Sequence, residues 1–268
     1  MATDRELRVL VALDNAEPNE RALRLLAVLD PRAALEITGL FVEDEDLLAA
    51  ARLPGLQEIS LTGQQLRLDP ERLARDLAQA AARARRAFDT LASRLGGTGV
   101  ALSRHSEFVV TRGRVTEEYY RAAEHCDAVI VTRGVHTSGL RSRPGRSFLT
   151  LARQPKPVLF VNEPWESGSS VVVLAGDAGA VDTAARLARA EGLRLIVAAP
   201  PGANAASQEL PKEAAPRQLA DWEEDTIARL CVAVDARLLV LPARSDVDLA
   251  ELLVSLMDRL PCSLLKLS

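Results

Sequence analysis

The chain is poor in aromatic residues, 3% in all, and has only three histidines and three cysteines among its 268 residues. Cys126, Cys231 and Cys262 stand apart in apolar or helical surroundings without CxxC spacing, which argues for buried thiols and against disulfides or a thiolate metal site. His105, expected in a strand, His125, beside Cys126 at a helix end, and His136 share no metal-ligand spacing, so no metal site is expected. Neither sign of charge dominates. The formal net charge is −4, and arginines alternate with carboxylates through most segments, which excludes a surface built to grip nucleic acid. No apolar run approaches the roughly 20 residues that span a bilayer. The opening MATDRELRVLVALD places acidic residues before a short strand and lacks a signal-peptide pattern. A cytoplasmic protein without membrane association is expected. Lysine is scarce beside arginine and alanine is abundant, which reads as genomic composition.

What is present is a long alternation of strand and helix patterns. RVLVALD (8–14), NERALRLLAVL (19–29) and ALEITGLFVED (34–44) form a βαβ unit. A long helix follows over 69–95, with Asp69 suited to its N-cap, Pro70 to its first turn and Gly96-Gly97 to its stop. ALSRHSEFVV (101–110) predicts a strand, 115–126 a helix, and DAVIVT (127–132) and PVLFVN (157–162) two further strands. Continuous Val/Ile/Leu strands separated by helices imply a mostly parallel sheet covered on both faces, a doubly wound α/β fold.

After the linker EPWESGSS (163–170) the pattern restarts with VVVLAGD (171–177), a helix over 180–192 and LRLIVAAP (193–200). A Pro/Ala-rich loop, the helix 219–234, the strand ARLLVLPA (236–243), the helix 247–260 and SLLKLS (263–268) complete it. Two unequal copies are therefore expected, residues 1–163 and 170–268. The second should be pared down to about four strands, without counterparts of the long helix or of the strand 101–110, and should lean on the first.

Three stretches carry a family resemblance: VLVALDNAEPNERAL, TRGRVTEEYYRAAEHCDAVIV and SGLRSRPGRSFLTLARQPKPVLFV. In order and spacing the chain resembles a tandem universal stress protein, closely over residues 6–162 and by element order alone beyond. The resemblance implies a five-stranded parallel sheet of order 3-2-1-4-5 in each complete copy, with the copies pairing through their last strands, PVLFVN and SLLKLS. It implies stress-linked regulation by ligand binding, with ATP or AMP as the ligand and magnesium only alongside nucleotide. An internal pseudo-dimer of the two copies, a homodimer and a regulatory protein partner are implied with it.

Ligands of open α/β sheets bind outside the carboxyl ends of the strands, where strand order reverses. In the implied order that crevice lies between the strands that carry Ala12 and Asp14 and Thr132 and Gly134. The resemblance gives Asp14 the adenine or ribose end, Val42 backbone bonds to the base, and the glycine loop with its Ser or Thr the phosphates. Here that loop offers Gly134, His136, Gly139, Gly145, Arg146 and Ser147, at a helix start whose free N–H groups and dipole favour an anion. Arg141 and Arg143 add positive charge nearby. The family signature, Gly, two residues, Gly, nine residues, Gly, then Ser or Thr, is met at only one glycine: Val131 and Pro144 stand at the other two positions, with Gly145 one place late.

Other readings of the same residues stay open. The segment 133–162 also reads as an exposed arginine-rich connection whose glycines only make turns. Gly139 to Ser147 echoes a phosphate-binding P-loop, with one residue too many and no lysine. The acidic run 42–48 reads as a solvated loop, with a ligand or divalent-ion border as the alternative. Tyr119 and Tyr120 read as helix packing, and Trp165 and Trp222 as core or interface. Asp177 repeats Asp14, but no glycine follows in LLVLPARSDVDLAELL, so phosphates are not expected there. No nucleophile with its base is legible, so no catalytic residue is expected. A ligand-free scaffold acting by protein contacts is the main rival function, and a slow nucleotide hydrolase the third.

Overall fold

A computed structural model describes residues 5–13, 20–55, 57–59, 65–67, 69–97, 100–133, 151, 153–162, 165, 167–175, 178–199, 210–243, 252, 255–256 and 259–268. The strand β1 (Glu6–Ala12), the helix α1 (Glu20–Ala27) and the strand β2 (Ala34–Asp44) form the expected first unit. α2 (Glu45–Ala50) and a small antiparallel pair, β3 (Gln57–Ile59) with β4 (Gln65–Arg67), lead to α3 (Pro70–Gly96). Asp69 caps α3 by accepting from the Glu71 N–H at 3.0 Å, and Pro70 fills the first turn, where no N–H is needed. β5 (Glu107–Gly113), α4 (Val115–Glu124), β6 (Ala128–Arg133) and β7 (Val158–Asn162) follow.

The chain then makes β8 (Ser170–Leu174), α5 (Ala178–Glu191), β9 (Arg194–Ala199), β10 (Ala214–Gln218), α6 (Glu224–Ala233), β11 (Ala236–Leu241) and β12 (Ser263–Lys266). All strands except β3 and β4 join one ten-stranded sheet of order β10-β9-β8-β11-β12-β7-β6-β1-β2-β5. It consists of two parallel runs of five strands, each in the order 3-2-1-4-5. They meet at an antiparallel seam where Leu264 pairs with Phe160 and Leu265 with Leu159.

Alternation along each buried strand sends side chains to two cores. One holds Val9, Val11, Ile37 and Ile130 with Leu23 and Leu26 of α1, Phe88 of α3 and Val181 and Leu187 of α5. The other holds Leu10, Val129, Phe160 and Leu239 with Tyr119 and Ala123 of α4 and Ile227 and Cys231 of α6. Both faces are covered, as continuous apolar strands require. α3 lies close on β2 because Gly39 has no side chain: a Cβ there would stand 2.6 Å from the Phe88 ring. Across the two runs, Arg186 of α5 donates to the Val28 carbonyl at 3.2 Å.

Several expectations are corrected. The second run has five strands, because AAPRQ inside the Pro/Ala-rich loop is the edge strand β10, paired in parallel with β9. An edge tolerates Pro216, since only one side of the strand is paired. The strand expected at 101–110 begins at Glu107 and runs to Gly113; His105 lies in an exposed turn, and Leu102 makes only an isolated bridge to Leu35. The helix expected from 219 begins at Glu224. Tyr119 is buried at 8% exposure, whereas Tyr120 is 44% exposed. Trp165 is buried in the first of these cores, and Trp222 packs half-buried against the second. The expected helix 247–260 lies largely outside the described residues.

Candidate functional site

From Val9 onward β1 is buried on both faces, as far as Leu13, whose N–H still donates to the β2 carbonyl of Leu40 at 2.9 Å. On one side Ala12 is paired with Leu40, and on the other with Val131 of β6. From β1 the chain crosses to β2 in one direction, while β6 and β7 lie in the other, so strand order reverses between β1 and β6. The carboxyl ends of these two strands are where an open α/β sheet leaves a crevice.

Three of the sequence-derived site residues line this end. Ala12 and Val42 are buried in the same core layer as Val131, with Val42 near the end of β2 and paired to Thr111 of β5. Thr132 follows Val131 and is paired to Val161 of β7. It is 4% exposed, and its hydroxyl has no hydrogen-bond partner among the described residues. A buried hydroxyl in that state costs about 1–3 kcal/mol. Asp14, Gly134, His136, Gly139, Gly145, Arg146 and Ser147 lie outside the described residues, as do Arg141, Arg143 and Asp177.

The second run repeats the backbone of this end without its hydroxyl. Ala175 donates to the Ala198 carbonyl at 2.8 Å, as Leu13 donates to Leu40, so Leu174 corresponds to Ala12. Val173 is opposite Val240, so Leu174 is opposite Leu241, the counterpart of Val131. Pro242 therefore stands in the place of Thr132. It has neither a hydroxyl nor an N–H to offer.

The acidic run 42–48 is not a loop. It is the end of β2 and the start of α2, and its carboxylates are engaged. Asp44 caps α2 by accepting from the Asp46 and Leu47 N–H groups at 2.9 and 3.3 Å. Glu43 accepts from Arg112 at 2.6 Å, and Arg114 lies 3.5 Å from Asp46 and 3.8 Å from Glu45. Thr111 donates to Glu118 at 3.1 Å.

The cysteines follow the expectation of unpaired thiols. Cys231 and Cys262 are buried and Cys126 is half-buried. Burial pushes the Cys126 thiol up, and the neighbouring Cys262 together with burial pushes Cys231 up. Thiols held protonated in this way are poor nucleophiles.

Sequence reading missed one grouping, at the amino end of the sheet. Glu6, Glu36 and His105 come from β1, β2 and the turn before β5, so no local spacing links them. The Ser103 hydroxyl holds the Glu6 carboxyl below its usual range. Burial, then the adjoining Glu6, pushes Glu36 up.

An open, mostly parallel α/β sheet with a crevice at the reversal of strand order defines a class of ligand-binding folds. Within that class the architecture is that of the universal stress proteins. It matches the crystal structure of a universal stress protein from Archaeoglobus fulgidus DSM 4304 over 97% of this chain and 96% of that one, at a TM-score of 0.59 and 14% identity. A protein of Pseudomonas aeruginosa UCBPP-PA14, assigned provisionally to the universal stress proteins, matches over 97% of this chain and 92% of its own, at a TM-score of 0.52 and 16% identity. No family model matches the chain, and no curated protein matches it in sequence. Among the described residues, no helix is long and apolar enough to cross a membrane.

Proposed function

We propose that the chain is a stress-response regulatory protein that acts by binding, and that it takes ATP, AMP or another anion at the carboxyl ends of β1 and β6. The observation that carries this reading is the Thr132 hydroxyl, buried beside the reversal of strand order and without a hydrogen-bond partner among the described residues. A phosphate or ribose oxygen arriving there would accept the hydrogen bond that no described residue accepts. On this reading Asp14 faces the adenine or ribose end, and the Val42 backbone meets the base. Gly134, His136, Gly139, Gly145, Arg146 and Ser147 surround the phosphates. Magnesium accompanies the ligand only when that ligand is a nucleotide.

Residues 1–163 and 170–268 are, on the same reading, two tandem units forming an internal pseudo-dimer, the second serving as a built-in partner. The repeated 3-2-1-4-5 order and the antiparallel seam support this division. Pro242 in the place of Thr132 supports a single ligand site in the first unit. A homodimer, a regulatory protein partner and a cytoplasmic location belong to the same reading.

The test is mass spectrometry of small molecules released from the purified, denatured protein. An adenine nucleotide or other phosphorylated anion at a fixed ratio to protein is the expected result. Its absence, together with no thermal shift on adding ATP or AMP, would replace this reading with a ligand-free scaffold. Release of phosphate in proportion to protein would make the chain a slow hydrolase.

A further inference from the structure

The amino end of the sheet, opposite the carboxyl ends of β1 and β6, brings together three metal-ligating side chains. In the β1–β2 register Glu6 is opposite Ala34 and Arg8 opposite Glu36. Glu6 and Glu36 therefore project from one face of the sheet on neighbouring strands, two rungs apart. His105 joins them from the turn before β5.

That turn is tightly held. Leu35 donates to the Ala101 carbonyl at 2.8 Å, and Ser103 donates back to Leu35 at 2.7 Å. The Ile37 N–H donates to Ser106 Oγ at 3.1 Å, and the His105 N–H to Ser103 Oγ at 3.1 Å. The imidazole is thus carried by backbone fixed to β2. One ligand atom from each of Glu6, Glu36 and His105 lies within 4.8 Å of the other two, and His105 Nδ1 is 3.4 Å from Glu6 Oε1. Ser103 Oγ donates to Glu6 Oε1 at 2.6 Å and orients the carboxylate, the role an outer-shell partner plays at a metal centre.

The nearest arginines of the same strand segment are turned to other partners. Arg5 pairs with Asp30 at 3.2 Å, and Arg8 with Asp127 at 3.3 Å. Two carboxylates and an imidazole thus converge, with the Glu6 and His105 side chains 37% and 75% exposed and open to water. Two oxygens and one nitrogen, with water completing the shell, suit a borderline divalent ion; magnesium and calcium prefer oxygen alone.

We propose that Glu6, Glu36 and His105 form a site for one such divalent ion, with zinc as the natural probe. The bound ion would tie β1, β2 and the lead into β5 together at the end of the sheet away from Thr132. This site is independent of the nucleotide reading.

The test is calorimetric titration of the full chain, stripped by chelator, with zinc chloride, alongside His105→Ala, Glu36→Gln and His125→Ala variants. One high-affinity zinc per chain is expected, weakened at least about tenfold in His105→Ala and Glu36→Gln and unchanged in His125→Ala. Equal magnesium should not compete. In a His125→Ala/His136→Ala background, the remaining imidazole resonances should shift on zinc addition, a readout that does not depend on stability. Failure of the parent to bind zinc, equal binding by all three single variants, or imidazole resonances that ignore zinc would overturn the proposal.

Discussion

The backbone N–H of Asn162 donates to Ser263 Oγ at 2.9 Å, joining the last strand of one five-strand run to the last strand of the other. The Asn162 side chain adds a bond to the Leu260 carbonyl at 3.2 Å, and Lys266 donates to the Gln154 carbonyl. Ser263 is 2% exposed, so water cannot replace its hydroxyl as acceptor. Ser263→Ala should lower the unfolding free energy by about 1–2 kcal/mol, with little change in the denaturant m-value. An unchanged denaturation midpoint would show that the seam does not depend on this bond.

Gly168 fixes how the chain turns into β8. Its φ is +99°, and a Cβ there would stand 2.7 Å from the Ala236 carbonyl oxygen and 2.6 Å from the Arg237 nitrogen. Neither neighbour is a movable side chain end. Arg237 also donates to the Gly168 carbonyl at 2.8 Å, so the segment cannot swing away without losing that bond. Gly168→Ala is expected to cost about 2–3 kcal/mol, read by chemical denaturation. A loss within the error of the measurement would contradict the crowding.

Strands and caps that rest on local chemistry were legible from sequence. β2 spans Ala34–Asp44 as expected, and Asp69 and Pro70 start α3 as their side chains dictate. β10 was not legible, because AAPRQ has no apolar alternation and becomes a strand only through the exposed edge of β9. The start of β5 was misplaced because the apolar residues at 101–102 resemble a strand, whereas Ser103 and Ser106 bond to β2 and hold a turn there. Ala12, Val42 and Thr132 lie at or near the carboxyl ends of β1, β2 and β6, where the strand patterns put them, while the absence of a partner for the Thr132 hydroxyl among the described residues is a property of packing alone. The approach of Glu6, Glu36 and His105 depends on strand register, which no spacing along the chain reveals.

Asp127 gives a pH prediction with a definite sign. Burial pushes its carboxyl up, but the side chain and backbone N–H of Arg8 pull it further down, leaving it below the usual range. A carboxyl depressed in the folded state contributes stability that is present above the unfolded value, about 3.9, and is lost as pH falls through the folded value. Asp127→Asn should therefore flatten the fall of Tm below about pH 4 relative to the parent. Parallel curves for the two proteins would remove Asp127 from the acid response.

The most direct measurement compares the parent with Thr132→Val, each with and without ATP, by thermal and chemical unfolding. Without ligand, the variant should be at least as stable as the parent, because a methyl group replaces a hydroxyl that has no partner among the described residues. With ATP at a hundredfold over its Kd for the parent, the parent should gain about 2.7 kcal/mol and the variant clearly less. A variant already weakened without ligand, or equal responses to ATP, would contradict a ligand site at the ends of β1 and β6.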